Sequence, residues 1–168
     1  MYKLTESLPY MLNIIASCLE EAFSDELAEH QLTISMYRVL AALLEREDQR
    51  LGELGEMTRT ESSTLSRLIG TMKSRRLVLR RRQKNDERSV QISLTPEGRA
   101  LIERLAPRAV YYENLAVRNF DRSSVDALRG ALHRMQENAA GLKAFAQTRP
   151  SVDVAGKWIP EKKAAAKK

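Results

Sequence analysis

The stretch KSRRLVLRRRQKNDERSVQISL, residues 73–94, constrains the fold more than any other in the chain. It sets eight basic side chains into the sixteen positions from Lys73 to Arg88, then alternates Val90, Ile92 and Leu94 with polar neighbours. Such alternation marks a strand with one buried face, so residues from about Val78 to Arg82 and from Ser89 to Leu94 are expected to form two short strands. Between them QKNDER supplies Asn85 and Asp86, which suit a turn.

The charge on this hairpin is not typical of the chain. Net charge is +6, with eight basic against two acidic side chains in residues 73–88 and six against two from Arg149 to Lys168. The remainder is net acidic. A basic patch on an acidic body is the electrostatic footprint of a polyanion binder, because phosphate contacts and counterion release supply most sequence-independent affinity. The plainer alternative, a solvated charged face, suits the terminal run better than the hairpin.

Helical periods fill the rest. Leu8, Met11, Leu12, Ile15, Leu19, Ala22 and Phe23 recur at spacings of three and four, which predicts one long amphipathic helix from Leu8 to Leu27. Thr33 can cap a second, whose stripe is Met36, Val39, Leu40, Leu43 and Leu44, ended by EREDQR. A short segment, LGELGEM, precedes a further helix from a Thr60 cap to about Arg75. That helix sets Leu65, Leu68, Ile69 and Met72 against Ser62, Ser63, Ser66, Arg67, Gly70 and Ser74 on the other side. Small hydroxyls, an arginine and a glycine let a helix approach another surface closely, although a solvated serine-rich face gives the same pattern. Thr95 and Pro96 form a helix start, and Pro107 is expected to bend the helix that runs on to Phe120. Asp121 can cap a last helix, in which Val125, Leu128, Leu132, Met135, Ala139 and Leu142 keep near-heptad spacing.

Other classes fall away. No apolar run reaches the roughly 20 residues that span a bilayer, and MYKLTESLPY lacks the blocks of a signal peptide, so the expected location is cytoplasmic, with no membrane partner. Cys18 is the only cysteine, and with His30 and His133 it makes no metal-ligand spacing, so neither a metal nor a cofactor is expected. No serine, cysteine or histidine sits in a nucleophile or phosphate-cradling motif, so the chain is not expected to be an enzyme.

Helices followed by a basic hairpin make sense as a winged helix-turn-helix, in which the second helix enters the major groove and the hairpin lies along the backbone as a wing. The fold class expected is therefore mainly α with a small β-hairpin wing. Residues 1–148 would form one domain, with a DNA-binding lobe at about 33–98, dimerisation helices at about 8–30 and 99–147, and a basic tail at 149–168. The long terminal helices suit packing across a two-fold axis, with Leu8, Leu12, Leu128, Leu132 and Met135 as dimerisation residues.

At STLSRLIGTMKSRRLVLRRRQKNDERSVQISLTPEG the chain resembles the multiple-antibiotic-resistance-type (MarR-type) winged helix-turn-helix regulators. The similar parts are the recognition helix, the strand entry at Leu77 and Val78, the wing tip at Asp86 and Arg88, and the wing exit at Leu94, Thr95 and Gly98. LTISMYRVLAALLE resembles the segment that leads into the DNA-binding lobe. The resemblance covers about Leu8 to Gln147. It implies a homodimeric regulator, usually a repressor, that binds double-stranded DNA at a palindromic operator and releases it when a small-molecule effector binds. Ser62, Ser63, Thr64, Ser66 and Arg67 would approach the major groove, and Arg82, Lys84 and Arg88 phosphates and the minor groove. Lys73 and Arg75 would join this DNA-binding set. Asp86 would orient the wing by pairing with an arginine, a role that stands beside simple turn stabilisation.

Arg76 and Arg59 stand where many relatives have glycine, at the end of the recognition helix and in the turn before it. Peroxide-sensing members carry a cysteine that the match of LPYMLN places near Asn13, not Cys18, so Cys18 is expected to be a packed, inert thiol. Effector pockets in the family lie between the lobe and the dimer helices. By position the candidates are Tyr10, Asn13, Tyr37, Arg38, Tyr111 and Tyr112, able to hold an aromatic acid or an acyl thioester; equally, these tyrosines can simply pack the junction. The rival function is a DNA-binding protein with no effector, whose tail adds general affinity.

Overall fold

A computed structural model describes residues 2–83 and 86–142, with only the backbone of 82, 83 and 86–89. Within the unit Met1–Arg118, a 3-10 turn at Leu4–Glu6 leads into α1 (Leu8–Glu29) and α2 (Ile34–Glu45). There follow β1 (Gln49–Arg50), α3 (Leu51–Thr58), α4 (Ser62–Ser74), β2 (Val78–Gln83), β3 (Asp86–Leu94) and α5 (Pro96–Ala116). The second unit, Asn119–Lys168, contains α6 (Arg122–Ala140).

One core holds the first unit together. Phe23 and Leu27 of α1, Val39, Leu40 and Leu43 of α2, Leu54 of α3, Leu65, Ile69 and Met72 of α4, Ile92 of β3 and Ile102 and Leu105 of α5 are all buried in it. The periods read from the sequence therefore select the correct inward faces of α2 and α4. In α1 only the C-terminal part of the stripe is covered, since Leu8, Met11, Leu12 and Ile15 remain exposed.

Helix ends show where local chemistry overrode the expectation. Thr33 does cap α2, its Oγ1 accepting from the Met36 N–H at 3.2 Å, and Asp121 caps α6 through Ser124 at 2.7 Å. Thr60 does not cap α4; Glu61 does, its carboxylate accepting from the Ser63 and Thr64 N–H groups at 3.0 and 3.1 Å. The LGELGEM segment is a helix, too short and too rich in glycine to display a period, and its first turn is tied by the Arg50 N–H donating to Glu53 at 2.9 Å. α5 passes Pro107 unbroken and ends at Ala116 rather than Phe120.

The wing is a three-stranded antiparallel sheet in the order β1-β3-β2, not a lone hairpin. Val78 faces Leu94, Arg80 faces Ile92 and Arg82 faces Val90, with the register shifting between Arg82 and Gln83. β1 pairs Gln49 with Ile92, and buried Gln49 donates its amide to the Ala42 and Arg46 carbonyls at 2.7 and 2.8 Å. That side chain adds to the capping of the C-terminal end of α2 and so anchors the sheet to the helical core.

Two arginines occupy left-handed backbone where glycine is the usual choice, Arg59 at φ 53° and Arg76 at φ 57°. Each closes a helix with the same pair of bonds. At α4 the Arg76 N–H reaches the Lys73 carbonyl and the Leu77 N–H the Met72 carbonyl, both at 2.9 Å. At α3 the Thr60 N–H reaches the Gly55 carbonyl at 3.0 Å. Both turns thus keep the geometry of a glycine stop, with arginine bearing the strain.

Candidate nucleic-acid interface and an adjoining cavity

On α4 the apolar residues face the core, which leaves Ser62, Ser63, Thr64, Ser66 and Arg67 exposed, with Ser62, Ser66 and Lys73 in one line along the helix. A Cβ built on Gly70 would meet nothing within 4 Å, so at that position the helix surface is open among the described residues. Arg80 and Arg81 continue the exposed basic surface on β2. Arg82, Asp86 and Arg88 stand on the wing strands, but their side chains, and all of Lys84, lie outside the described residues.

Two members of the expected set have other work. Ser63 Oγ donates to the Glu61 carboxylate, so its hydroxyl is held at the helix cap. Glu61 titrates far below the usual carboxylate range, at about 2, because that hydroxyl and then the Ser63 and Thr64 N–H groups stabilise its anion. An ionised side chain therefore stands at the mouth of α4 at neutral pH. Sequence reading missed it because Thr60 looked the better cap, and glutamate is not among the preferred N-cap residues.

Arg75, expected at the interface, turns inward instead. Its guanidinium donates to the Gln31 and His30 carbonyls at 2.5 and 2.9 Å and rests against the Met36 sulfur at 3.5 Å. It joins the end of α4 to the end of α1. Arg75→Gln is accordingly expected to lower stability by about 2 kcal/mol, the range of bonds from a charged donor, while leaving the salt dependence of DNA binding unchanged. Lys73→Gln should do the reverse. Thermal melts and binding titrations over a salt series measure both; a flatter salt slope for Arg75→Gln would return it to the interface.

A second feature lies on the same unit, between α1, α2 and α5. A cavity of about 300 Å³ is walled by Phe23, Tyr37 and Tyr112, with Arg38 and Glu20 at its polar side. Phe23 packs edge-on against Tyr37 at 4.9 Å and at a tilt on Tyr112 at 5.7 Å. Arg38 is paired with Glu20. Partial burial raises the Tyr37 hydroxyl above its ordinary pKa, so it is neutral and able to donate. Of the six positions read as effector contacts, Tyr37, Arg38 and Tyr112 line this cavity. Tyr10, Asn13 and Tyr111 do not, and Tyr111 is instead exposed beside Tyr112, with Arg108 5.3 Å above its ring.

Leu8, Leu12, Leu128 and Leu132 are exposed in the single chain, and Met135 is half-buried. Cys18 is exposed rather than packed, because the core covers only the C-terminal part of α1. Among the described residues no group of three or more His, Cys, Asp or Glu side chains could hold a metal, and no helix is long and apolar enough to cross a membrane.

Known proteins are similar to this chain in sequence and in fold. Residues 21–105 match the family described as transcriptional regulator SarA/Rot. The HTH-type transcriptional regulator SarZ of Staphylococcus aureus is 32% identical over 107 residues, 64% of this chain and 72% of SarZ. In fold the chain is similar to Bordetella bronchiseptica BpsR, whose DNA binding is regulated by 6-hydroxynicotinic acid, with a TM-score of 0.72 at 24% identity over 81% of this chain and 97% of that one. It is also similar to a MarR-family regulator from Listeria monocytogenes complexed with 26mer DNA, with a TM-score of 0.78 at 20% identity over 85% and 95% of the two chains. The matched family, SarZ and the Listeria protein are transcriptional regulators rather than enzymes.

Proposed function

The chain belongs to the SarA/Rot family of transcriptional regulators, DNA-binding winged-helix proteins of the MarR type, and from that membership we propose that it is a homodimeric repressor released from a palindromic operator by a small aromatic acid or acyl thioester. Ser62, Thr64, Ser66 and Arg67 approach base edges in the major groove. Arg82, Lys84 and Arg88 engage phosphates and the minor groove, with Asp86 orienting the wing, and the basic tail adds affinity without sequence preference.

The observation that carries the effector is the cavity beside Arg38. Its aromatic walls suit a flat apolar body, and Arg38, paired with the half-exposed Glu20 carboxylate at a rim that also carries Glu113, can exchange Glu20 for a ligand carboxylate. In the same fold, the DNA binding of BpsR is regulated by 6-hydroxynicotinic acid. Because α1, α2 and α5 wall the cavity and Arg75 ties α1 to α4, an occupant is positioned to move the recognition helix.

The test uses a palindromic site selected from random DNA, challenged with aromatic carboxylates and coenzyme A thioesters. At least one compound should weaken the complex about tenfold or more, and Arg38→Gln should abolish that response while keeping DNA affinity. If no compound from either class acts, the chain binds DNA without such an effector.

A further inference from the structure

We infer that Glu61 determines DNA specificity, its Oε1 accepting a hydrogen bond from an exocyclic base amine, by preference the N4 amine of cytosine, in the major groove. The inference rests on the reading that α4 is the helix that enters that groove, where residues at a recognition helix's N-terminal end reach base edges.

The geometry divides the two carboxylate oxygens. The Ser63 hydroxyl and the Ser63 and Thr64 N–H groups all donate to Oε2, at 3.0 and 3.1 Å for the two amides. The well-formed hydrogen bonds to the carboxylate among the described residues all end on Oε2, the Thr64 hydroxyl adds a weaker stabilising interaction, and the side chain is exposed. One oxygen is thus anchored in the helix while the other remains an oriented acceptor at the end of the same face that carries Ser62, Ser66 and Arg67.

Capping alone does not explain the residue. Serine, threonine, aspartate and asparagine reach the same amides with shorter side chains. A glutamate adds one methylene to aspartate and three donors immobilise it, which removes much of the freedom a surface carboxylate otherwise has to swing away. An unanchored anion here would simply repel phosphate. The carboxylate titrates at about 2, so it is an acceptor only and remains one in the DNA-bound pH range.

An obligate acceptor discriminates among bases. Cytosine offers an amine donor to the major groove, whereas adenine sets its N7 acceptor beside its amine, and guanine and thymine present acceptors that would face the carboxylate directly. Cytosine is therefore the preferred contact.

Three variants test this against a DNA library randomised through the half-site, at fixed salt, with thermal melts alongside. Glu61→Ser keeps a preferred cap but cannot reach a base, so it should melt near wild type and lose a cytosine preference at one half-site position by about fivefold or more. Glu61→Gln should move that preference toward adenine, the usual partner of an amide side chain. Arg67→Ala is the reference for α4 as reader. If Arg67→Ala alters base preference while both Glu61 variants leave it unchanged, Glu61 only caps the helix and the inference is overturned. If none of the three alters any preference, α4 does not read bases, and the assignment of the recognition helix fails with it.

Discussion

Gly98→Ala is expected to unfold or severely distort the DNA-binding unit, at a loss of about 3 kcal/mol or more. A Cβ at this position would stand 2.0 Å from the Leu77 carbonyl oxygen and 2.9 Å from its carbon, and both are backbone atoms that cannot rotate aside. Overpacking a tight core costs about 1–3 kcal/mol where side chains can give way, and here none is involved. The contact lies within a junction of three elements. Thr95 Oγ1 donates to the Arg76 carbonyl at 2.6 Å and accepts from the Gly98 N–H at 2.8 Å, and the Thr95 N–H reaches the Leu77 carbonyl at 3.1 Å. The end of α4, the exit of the wing and the start of α5 are therefore held by one buried threonine against one glycine. Displacing it moves the wing relative to the recognition helix, so DNA affinity should fall even in molecules that remain folded. Thermal denaturation followed by circular dichroism, with a DNA titration below the melting point, measures both effects. Gly52→Ala, where an added Cβ meets nothing within 4 Å, serves as the control and should be neutral or slightly stabilising. A Gly98→Ala protein that melts within about 1 kcal/mol of wild type would show that this junction yields easily.

Replacing Leu128 and Leu132 together with glutamate is expected to convert the proposed dimer to monomers and abolish operator binding. Both side chains are exposed in the single chain, on a helix in which no described residue is buried. An isolated helix of this length is marginal in water, so its stability must come from burying its apolar stripe. Two-fold symmetry counts each substitution twice. At about 1.5 kcal/mol or more for each buried leucine, the four in a dimer place the loss at about 6 kcal/mol, roughly four orders of magnitude in the dimer dissociation constant. Glutamate is a good helix former, so the helix itself is not penalised. Sedimentation gives the oligomeric state, and titration against the selected palindrome gives the second consequence. A palindrome is read by two recognition helices held about one DNA turn apart, which monomers cannot provide. Monomers that keep full operator affinity would remove the dimer from the proposed mechanism.

The candidate site was legible where it depended on composition and on resemblance. The exposure of the serines and Arg67 of α4 could be read because a helix that buries Leu65, Ile69 and Met72 must expose the residues between them. Arg75 and Glu61 could not. An arginine in a basic run looks like its neighbours, and only the approach of the α1 end shows that this one is committed to two carbonyls. The cavity was half legible for the same reason. Tyr37, Arg38 and Tyr112 converge because α2 and α5 pack beside the C-terminal half of α1, whereas Tyr10 and Asn13 sit near its other end, away from that packing.

Helix faces and the Thr33 and Asp121 caps follow from chemistry within a few residues, and the two wing strands from alternation and turn residues inside one short stretch, which a reading of the chain can find. The two-residue β1 and the short α3 depend on contacts distant in sequence. Gln49 becomes a strand residue only because Ile92 is beside it and the α2 carbonyls are beneath it. Left-handed arginines at 59 and 76 run against local preference altogether, and the packing of Leu54, Met72 and Leu77 around those turns holds them there. Local preferences are worth a few tenths of a kcal/mol to about 1 kcal/mol per residue, while a buried leucine is worth about 1.5–3 kcal/mol. Where the two disagree the core prevails, and only the folded chain shows where that happens.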